Sequence, residues 1–274
     1  MKNKNFFKNI LNIIGKKDGF ILNKSISFNN EKKYKIIKTH KNNVKLLHFT
    51  NKKIFRKYSK SINGIEKIFS EYQGLIWYCN KIKQKKSYII SNYLKKKNFA
   101  FIDIKEIKGH KAKSWKPIEE NFSYLLKTFK HYINYYPKKN ISKIHGDLTL
   151  DNIIFKKKGL FVIDWEFFKS KENYRGYDIV YLFLSSACLP YILNKTFSKK
   201  DEVLFCKLWK LLIKSNFDKK MILNPFEFFE NNIKTDKVLG KSYKLSKSKF
   251  FPFITKKIHK NRILKIIKHT YYGK

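Results

Sequence analysis

KIHGDLTLDNIIFKKKGLFVIDWEFF, residues 143–168, sets His145, Asp147, Asn152 and Asp164 among apolar runs that a folded chain would bury. Its runs NIIF (152–155) and LFVI (160–163) are separated by KKKG, whose glycine can take the positive φ of a tight turn, so the stretch predicts a β-hairpin. Antiparallel pairing then puts Asn152, at the start of the first strand, beside Asp164, at the end of the second. An amide oxygen and a carboxylate brought together in this way suit Mg²⁺, which takes one or two protein groups and fills its shell with water and phosphate oxygens. Asp147 lies in a polar loop five residues before Asn152, where it could accept a proton from an attacking hydroxyl. Metal ligands beside a loop aspartate are the parts that phosphoryl transfer needs, because that chemistry asks for positioning and charge neutralisation more than for covalent work.

Upstream of the hairpin the pattern alternates. KKYKIIK (32–38), VKLLHF (44–49) and IFRKYS (54–59), separated by polar turns, predict three short antiparallel strands. From Ile62 the period changes to that of a helix, through Ile65, Ile68, Phe69, Tyr72, Leu75 and Ile76, up to about Asn80. SYIISNY (87–93) and FAFIDIKEI (99–107) predict further strands, and Gly109 ends the second. A helical pattern opens after Pro117, which suits a first-turn position, and Pro137 marks its far end. Beyond the hairpin, DIVYLFLSSACL (178–189) is apolar nearly all round and predicts a buried helix, with Asp178 as an N-cap tied to the loop of Asp147. Two more helices are expected at 201–215 and 225–233. The expected organisation is a basic amphipathic segment over 1–19, a small β-rich lobe over 20–109 and a larger helical lobe over 110–274, with a hinge near 106–109.

The pattern H-G-D-x-x-x-x-N, formed by His145, Gly146, Asp147 and Asn152, followed by Ile163-Asp164-Trp165-Glu166, resembles the aminoglycoside phosphotransferase and choline kinase family, relatives of the protein kinases. The resemblance implies an α+β, protein-kinase-like bilobal fold with a small antiparallel N-lobe, a mainly helical C-lobe and ATP between them. It also implies that Asp147 is the catalytic base, that His145 helps to hold the catalytic loop, and that Asn152 and Asp164 bind Mg²⁺. Upstream, the family pattern asks for a strand lysine at the nucleotide phosphates and a helix glutamate paired with it. Lys57 and Glu71 fill those places, with Lys53 or Lys60 and Glu66 as alternatives. EIKG (106–109) is similar to the family hinge, so backbone groups from Glu106 to Lys108 would hold the adenine. The chain departs from the protein kinases in having THKNN (39–43) where a glycine-rich phosphate loop is usual, H-G-D for H-R-D, D-W-E for D-F-G, and no A-P-E. These last differences favour a small-molecule acceptor over a protein.

The acceptor implied is a hydroxyl of an amino alcohol, an aminoglycoside-like sugar or a cell-surface saccharide precursor. Glu166, Glu172, Tyr174 and Tyr177 follow the metal aspartate, and acidic and aromatic groups there would suit a cation. A pseudokinase that binds or regulates without transferring phosphate is the alternative from another class.

The formal net charge of +42 raises a nucleic-acid role, but only Arg56, Arg175 and Arg262 are arginines among 62 basic residues. Bidentate recognition of bases and phosphates favours arginine, and abundant lysine, asparagine and isoleucine together are what an AT-rich genome imposes on any protein. No specific nucleic-acid partner is therefore expected. The basic, amphipathic start could touch an anionic membrane or cover the domain behind it, and the end, FITKKIHKNRILKIIKH, is open to the same two readings. No apolar run approaches the length of a membrane span, and the start lacks a small-residue cleavage site, so a cytoplasmic protein is expected. The three cysteines form no C-x-x-C pair, which indicates neither a disulfide framework nor a zinc site.

Overall fold

A computed structural model describes residues 25–26, 34–39, 44–136, 141–194, 197–235 and 257–273. The segment 1–19, most of the turn THKNN, Pro137 and the lysine-rich stretch from Lys241 up to residue 256 lie outside the described residues. The chain divides into two compact units, 1–108 and 109–274.

In the first unit, strands β1 (Ser25–Ile26), β2 (Tyr34–Thr39), β3 (Lys45–Phe49), β4 (Ile54–Ser59), β5 (Ile90–Lys95) and β6 (Ala100–Lys105) form one sheet in the order β1-β2-β3-β4-β6-β5. Every neighbouring pair in it is antiparallel. Helix α1 (Ile62–Lys81) starts where Ser61 accepts a hydrogen bond from the Gly64 backbone N–H, and it buries Ile65, Ile68, Leu75 and Tyr78. With the buried Glu71, those positions recur every three to four residues, so one stripe of the helix covers the sheet. The strand expected from residue 87 begins later, at Ile90, because Lys86–Tyr88 close a short 3-10 turn with the Ile89 N–H donating to the Lys86 carbonyl. Arg56 and Asp103, paired across β4 and β6, form two parallel N–H to carboxylate bonds of 2.6 and 2.7 Å.

The second unit holds α2 (Ile118–Tyr135), β7 (Ile141–Ile144), the hairpin β8 (Ile153–Phe155) and β9 (Leu160–Val162), β10 (Lys169–Tyr174) and the helices α3 (Tyr177–Asn194), α4 (Lys199–Lys214), α5 (Lys219–Leu223), α6 (Pro225–Thr235) and α7 (Lys257–Tyr272). Pro117 is the N-cap of α2, one place earlier than a first-turn proline. Asp201 accepts from the Ser198 N–H and hydroxyl in a capping box, and its other oxygen accepts from the Glu119 N–H, so one carboxylate serves the starts of α4 and α2. The core is aromatic, with Trp165, Trp209, Phe161, Phe183, Phe205, Phe226 and Phe229 almost wholly buried. In α7, Ile263 and Ile267 are fully buried while Lys265, Lys268 and His269 are exposed, so the apolar side of this helix packs on its own unit. Arg262 pairs with Glu202 at 2.7 Å, and Arg175 lies over the Phe217 ring. No described helix is long and apolar enough to cross a membrane.

Candidate active site

The hairpin forms around the sequence signal that predicts it. Ile153 pairs with Val162 and Phe155 with Leu160, and the Lys156 N–H donates to the Gly159 carbonyl across a turn in which Gly159 has φ +84°. The ladder runs one step beyond the strands, because the Ile163 N–H donates to the Asn152 carbonyl at 2.9 Å. Asn152 and Asp164 therefore flank the same end of the hairpin. On the outer side, His110 exchanges both backbone hydrogen bonds with Phe155, at 3.0 and 2.8 Å. Gly109 makes that approach feasible, since a Cβ there would stand 2.5 Å from both Ile154 Cγ2 and the Phe155 carbonyl oxygen.

The loop before the hairpin is fixed from several sides. His145 is fully buried, its Nε2 lies 2.9 Å from the Ile163 carbonyl, and its Nδ1 accepts from the Asp147 N–H at 3.2 Å. The bond to a carbonyl assigns the proton to Nε2 and leaves Nδ1 as the acceptor. Asn152 Nδ2 donates to the Asp147 carbonyl at 2.8 Å. The Asp147 main chain is thus held at its N–H by a histidine and at its C=O by an asparagine. Asp178, in the first turn of α3 and fully buried, accepts from the His145 N–H at 2.8 Å and the Gly146 N–H at 3.0 Å. Burial pushes the Asp178 carboxyl up to about 7, against the pull of those two donors. Gly146 has φ +86°, and a Cβ there would meet the Phe167 carbonyl oxygen at 2.6 Å, so the turn admits glycine alone.

Two further features escape a reading of the sequence. Asp164 adopts the left-handed conformation with φ +67°, which aspartate tolerates better than most residues and which turns the chain sharply after β9. Tyr181, one turn along α3 from Asp178, places its hydroxyl 3.4 Å from Asp147 Oδ1. No spacing rule singles out Tyr181, since it stands in a helix that is apolar nearly all round.

Asn152 and Asp164 carry oxygen donors of the kind that could hold a hard cation. Donation by Asn152 Nδ2 to the loop leaves its Oδ1 as an acceptor, and the residue next in the ladder, Asp164, carries a carboxylate. Among the described residues there is no cluster of three or more His, Cys, Asp or Glu that could cage a metal. An amide and one carboxylate match Mg²⁺ bound mainly through water and phosphate oxygens.

In the first unit, Lys57 of β4 and Glu71 of α1 form an ion pair of 2.9 Å, and both are buried. Lys53 is exposed at the end of a 3-10 turn, Lys60 is exposed, and Glu66 pairs with Lys95 at the surface. Phe55, two residues before Lys57 and so on the same face of β4, stacks on His48 with ring centroids 4.3 Å apart. Glu106 and Lys108 are exposed, and the Glu106 N–H donates to the Lys53 carbonyl. Glu166 and Tyr177 are buried, and the side chains of Glu172 and Tyr174 lie outside the described residues. Replacing Glu71 with glutamine is expected to cost about 2 kcal/mol, the worth of a hydrogen bond to a buried charge, measured as a lower midpoint in urea. Replacing Lys57 and Glu71 together with methionine and leucine is expected to restore that stability, because the apolar pair leaves no buried charge unmatched.

No family model and no curated protein matches the chain. Among solved structures, it is similar to APH(2″)-IIia in its GDP and kanamycin complex, with 12% identity over 89% of this chain and 98% of that one, at a TM-score of 0.37. It is also similar to a protein assigned as an aminoglycoside phosphotransferase from Ralstonia eutropha JMP134, with 11% identity over 97% of each chain, at a TM-score of 0.38. At these values the likeness carries no weight of its own, and the functional reading rests on the residues.

Proposed function

We propose that the chain is an ATP- and Mg²⁺-dependent phosphotransferase of the kinase-like kind, acting on a hydroxyl of a small molecule. The observation that carries this reading is the fixed loop: Asp147 is held by His145 and Asn152, and Asn152 shares the end of the hairpin with Asp164. In the proposed reaction the acceptor oxygen attacks the γ-phosphorus of ATP, and its proton passes to the Asp147 carboxylate. The bond from that phosphorus to the β,γ-bridging oxygen breaks, and ADP leaves with the bonding electrons. Asn152 and Asp164 would hold Mg²⁺, which when bound neutralises phosphate charge. The buried ammonium of Lys57, oriented by Glu71, would meet the nucleotide phosphates, and the flat pair His48–Phe55 on the same sheet face would suit a base. Backbone groups of 106–108 would add hydrogen bonds to that base. An amino alcohol, an aminoglycoside-like sugar or a saccharide precursor is the acceptor class that the sequence resemblance favours.

The deciding experiment is thermal unfolding with and without ATP plus Mg²⁺, on the wild type and on Asp164→Asn. At a hundredfold excess over Kd the ligands are expected to add about 2.7 kcal/mol, seen as a higher Tm that requires both of them. The gain is expected to fall by more than half in Asp164→Asn. An unchanged Tm at millimolar ATP would remove the enzyme reading and leave a kinase-like binding module without nucleotide.

A further inference from the structure

We propose that Tyr181 is a positioning residue for Asp147, its phenol O–H tying down carboxylate Oδ1 so that Oδ2 receives the proton of the acceptor hydroxyl. The proposal rests on the phosphotransferase reading and adds to it a residue that the loop pattern does not contain. Its starting point is the placement of a polar tip in an apolar helix. YDIVYLFLSSACL, at the start of α3, buries Ile179, Val180, Leu182, Phe183 and Leu184, and Tyr181 itself is only 8% exposed. A phenol carried into such surroundings must find an acceptor or lose the hydrogen bond it makes in water. The acceptor it reaches is Asp147 Oδ1, at 3.4 Å.

Asp178 and Tyr181 are three residues apart and so share one side of the first turns of α3. Asp178 accepts the backbone N–H groups of His145 and Gly146, while Tyr181 reaches the side chain of the next residue. One rigid helix end thereby fixes both the path of the loop and the rotation of its carboxylate. The ring of Tyr181 is wedged edge-on against Phe229, with centroids 5.6 Å apart, which limits how far the hydroxyl can swing. Burial, then the charge of Asp147, drives the phenol well above its ordinary titration range, so it stays a donor at any working pH. A bond of 3.4 Å is long for O–H to O⁻, and such contacts tighten when a reacting complex forms. A donor to one oxygen fixes the direction from which the carboxylate takes up the proton.

Tyr181→Phe tests this in the full-length chain, since it removes the hydroxyl and keeps the ring against Phe229. The first readout is a double-variant cycle in Mg²⁺-dependent ATP hydrolysis: where the phenol acts through the carboxylate, adding Tyr181→Phe to Asp147→Asn is expected to lower kcat no further. The second readout is Mg²⁺-dependent ATP hydrolysis with water as acceptor, expected to fall about tenfold in kcat with KM for ATP unchanged. An unchanged kcat in Tyr181→Phe, or a further loss of about tenfold on adding it to Asp147→Asn, would overturn the proposal and reduce Tyr181 to packing. Failure of the underlying reading is told apart because it shows in the wild type, as absence of stabilisation by ATP and Mg²⁺.

Discussion

Asp147→Asn is expected to lower phosphate transfer by about 10²–10⁴-fold, the usual contribution of a positioned general base, while Mg²⁺-ATP binding stays within about twofold of the wild type. The asymmetry follows from what the substitution keeps. Asparagine has the shape of aspartate, and the two bonds that fix residue 147 use its backbone N–H and C=O, so the loop is expected to retain its path. An amide oxygen can still accept from Tyr181 but cannot take up the proton of an attacking hydroxyl. Loss of rate without loss of nucleotide is therefore expected of Asp147, whereas Asp164→Asn is expected to lose both. Steady-state hydrolysis of ATP and a direct titration with Mg²⁺-ATP separate the two. Equal rates for wild type and Asp147→Asn would remove Asp147 from the role of base.

The parts of this site differ in how legible they are in the sequence, and the reason lies in the range of the interactions that make them. NIIF, KKKG and LFVI specify a hairpin through contacts within a dozen residues, and the structure pairs the expected strands. Asp178 was expected as a helix cap tied to the loop, and its two N–H bonds to residues 145 and 146 do tie it there, although Tyr177 already belongs to the helix. The pairing of β7 with β10 gives no such signal. ISKI and KSKENY are short and lysine-rich, without clean alternation, and their register comes from the loop and hairpin folded between them. Lysine abundance blurs β4 in the same way, where Lys53, Lys57 and Lys60 are equivalent in composition. Only burial beside Glu71 distinguishes Lys57 from the exposed Lys53 and Lys60. Tyr181 is the least legible, since its meaning depends on a carboxylate 34 residues away.

Asp178→Ala is expected to cost about 2–6 kcal/mol, because it leaves two buried backbone N–H groups, those of His145 and Gly146, without their acceptor at about 1–3 kcal/mol each. Gly146 can adopt its positive φ and its tight approach to Phe167 only while that turn is held, so the loss falls on the loop that carries Asp147. The milder Asp178→Asn exposes the electrostatic part of the same contact. Burial raises the Asp178 carboxyl to about 7 in the folded chain, above the roughly 3.9 of an unfolded aspartate. Between those values the folded state binds the extra proton, so the contribution of this group is fully present below about pH 4 and is lost as pH rises through about 7. Asparagine has no such titration. Urea unfolding at pH 5 and at pH 8 is therefore expected to show the wild type losing its advantage over Asp178→Asn as the pH rises, by more than about 1 kcal/mol across that interval. The opposite slope would mean that the two N–H donors outweigh burial and keep this carboxyl below its ordinary range. Asp178 would then anchor the catalytic loop as a permanent anion.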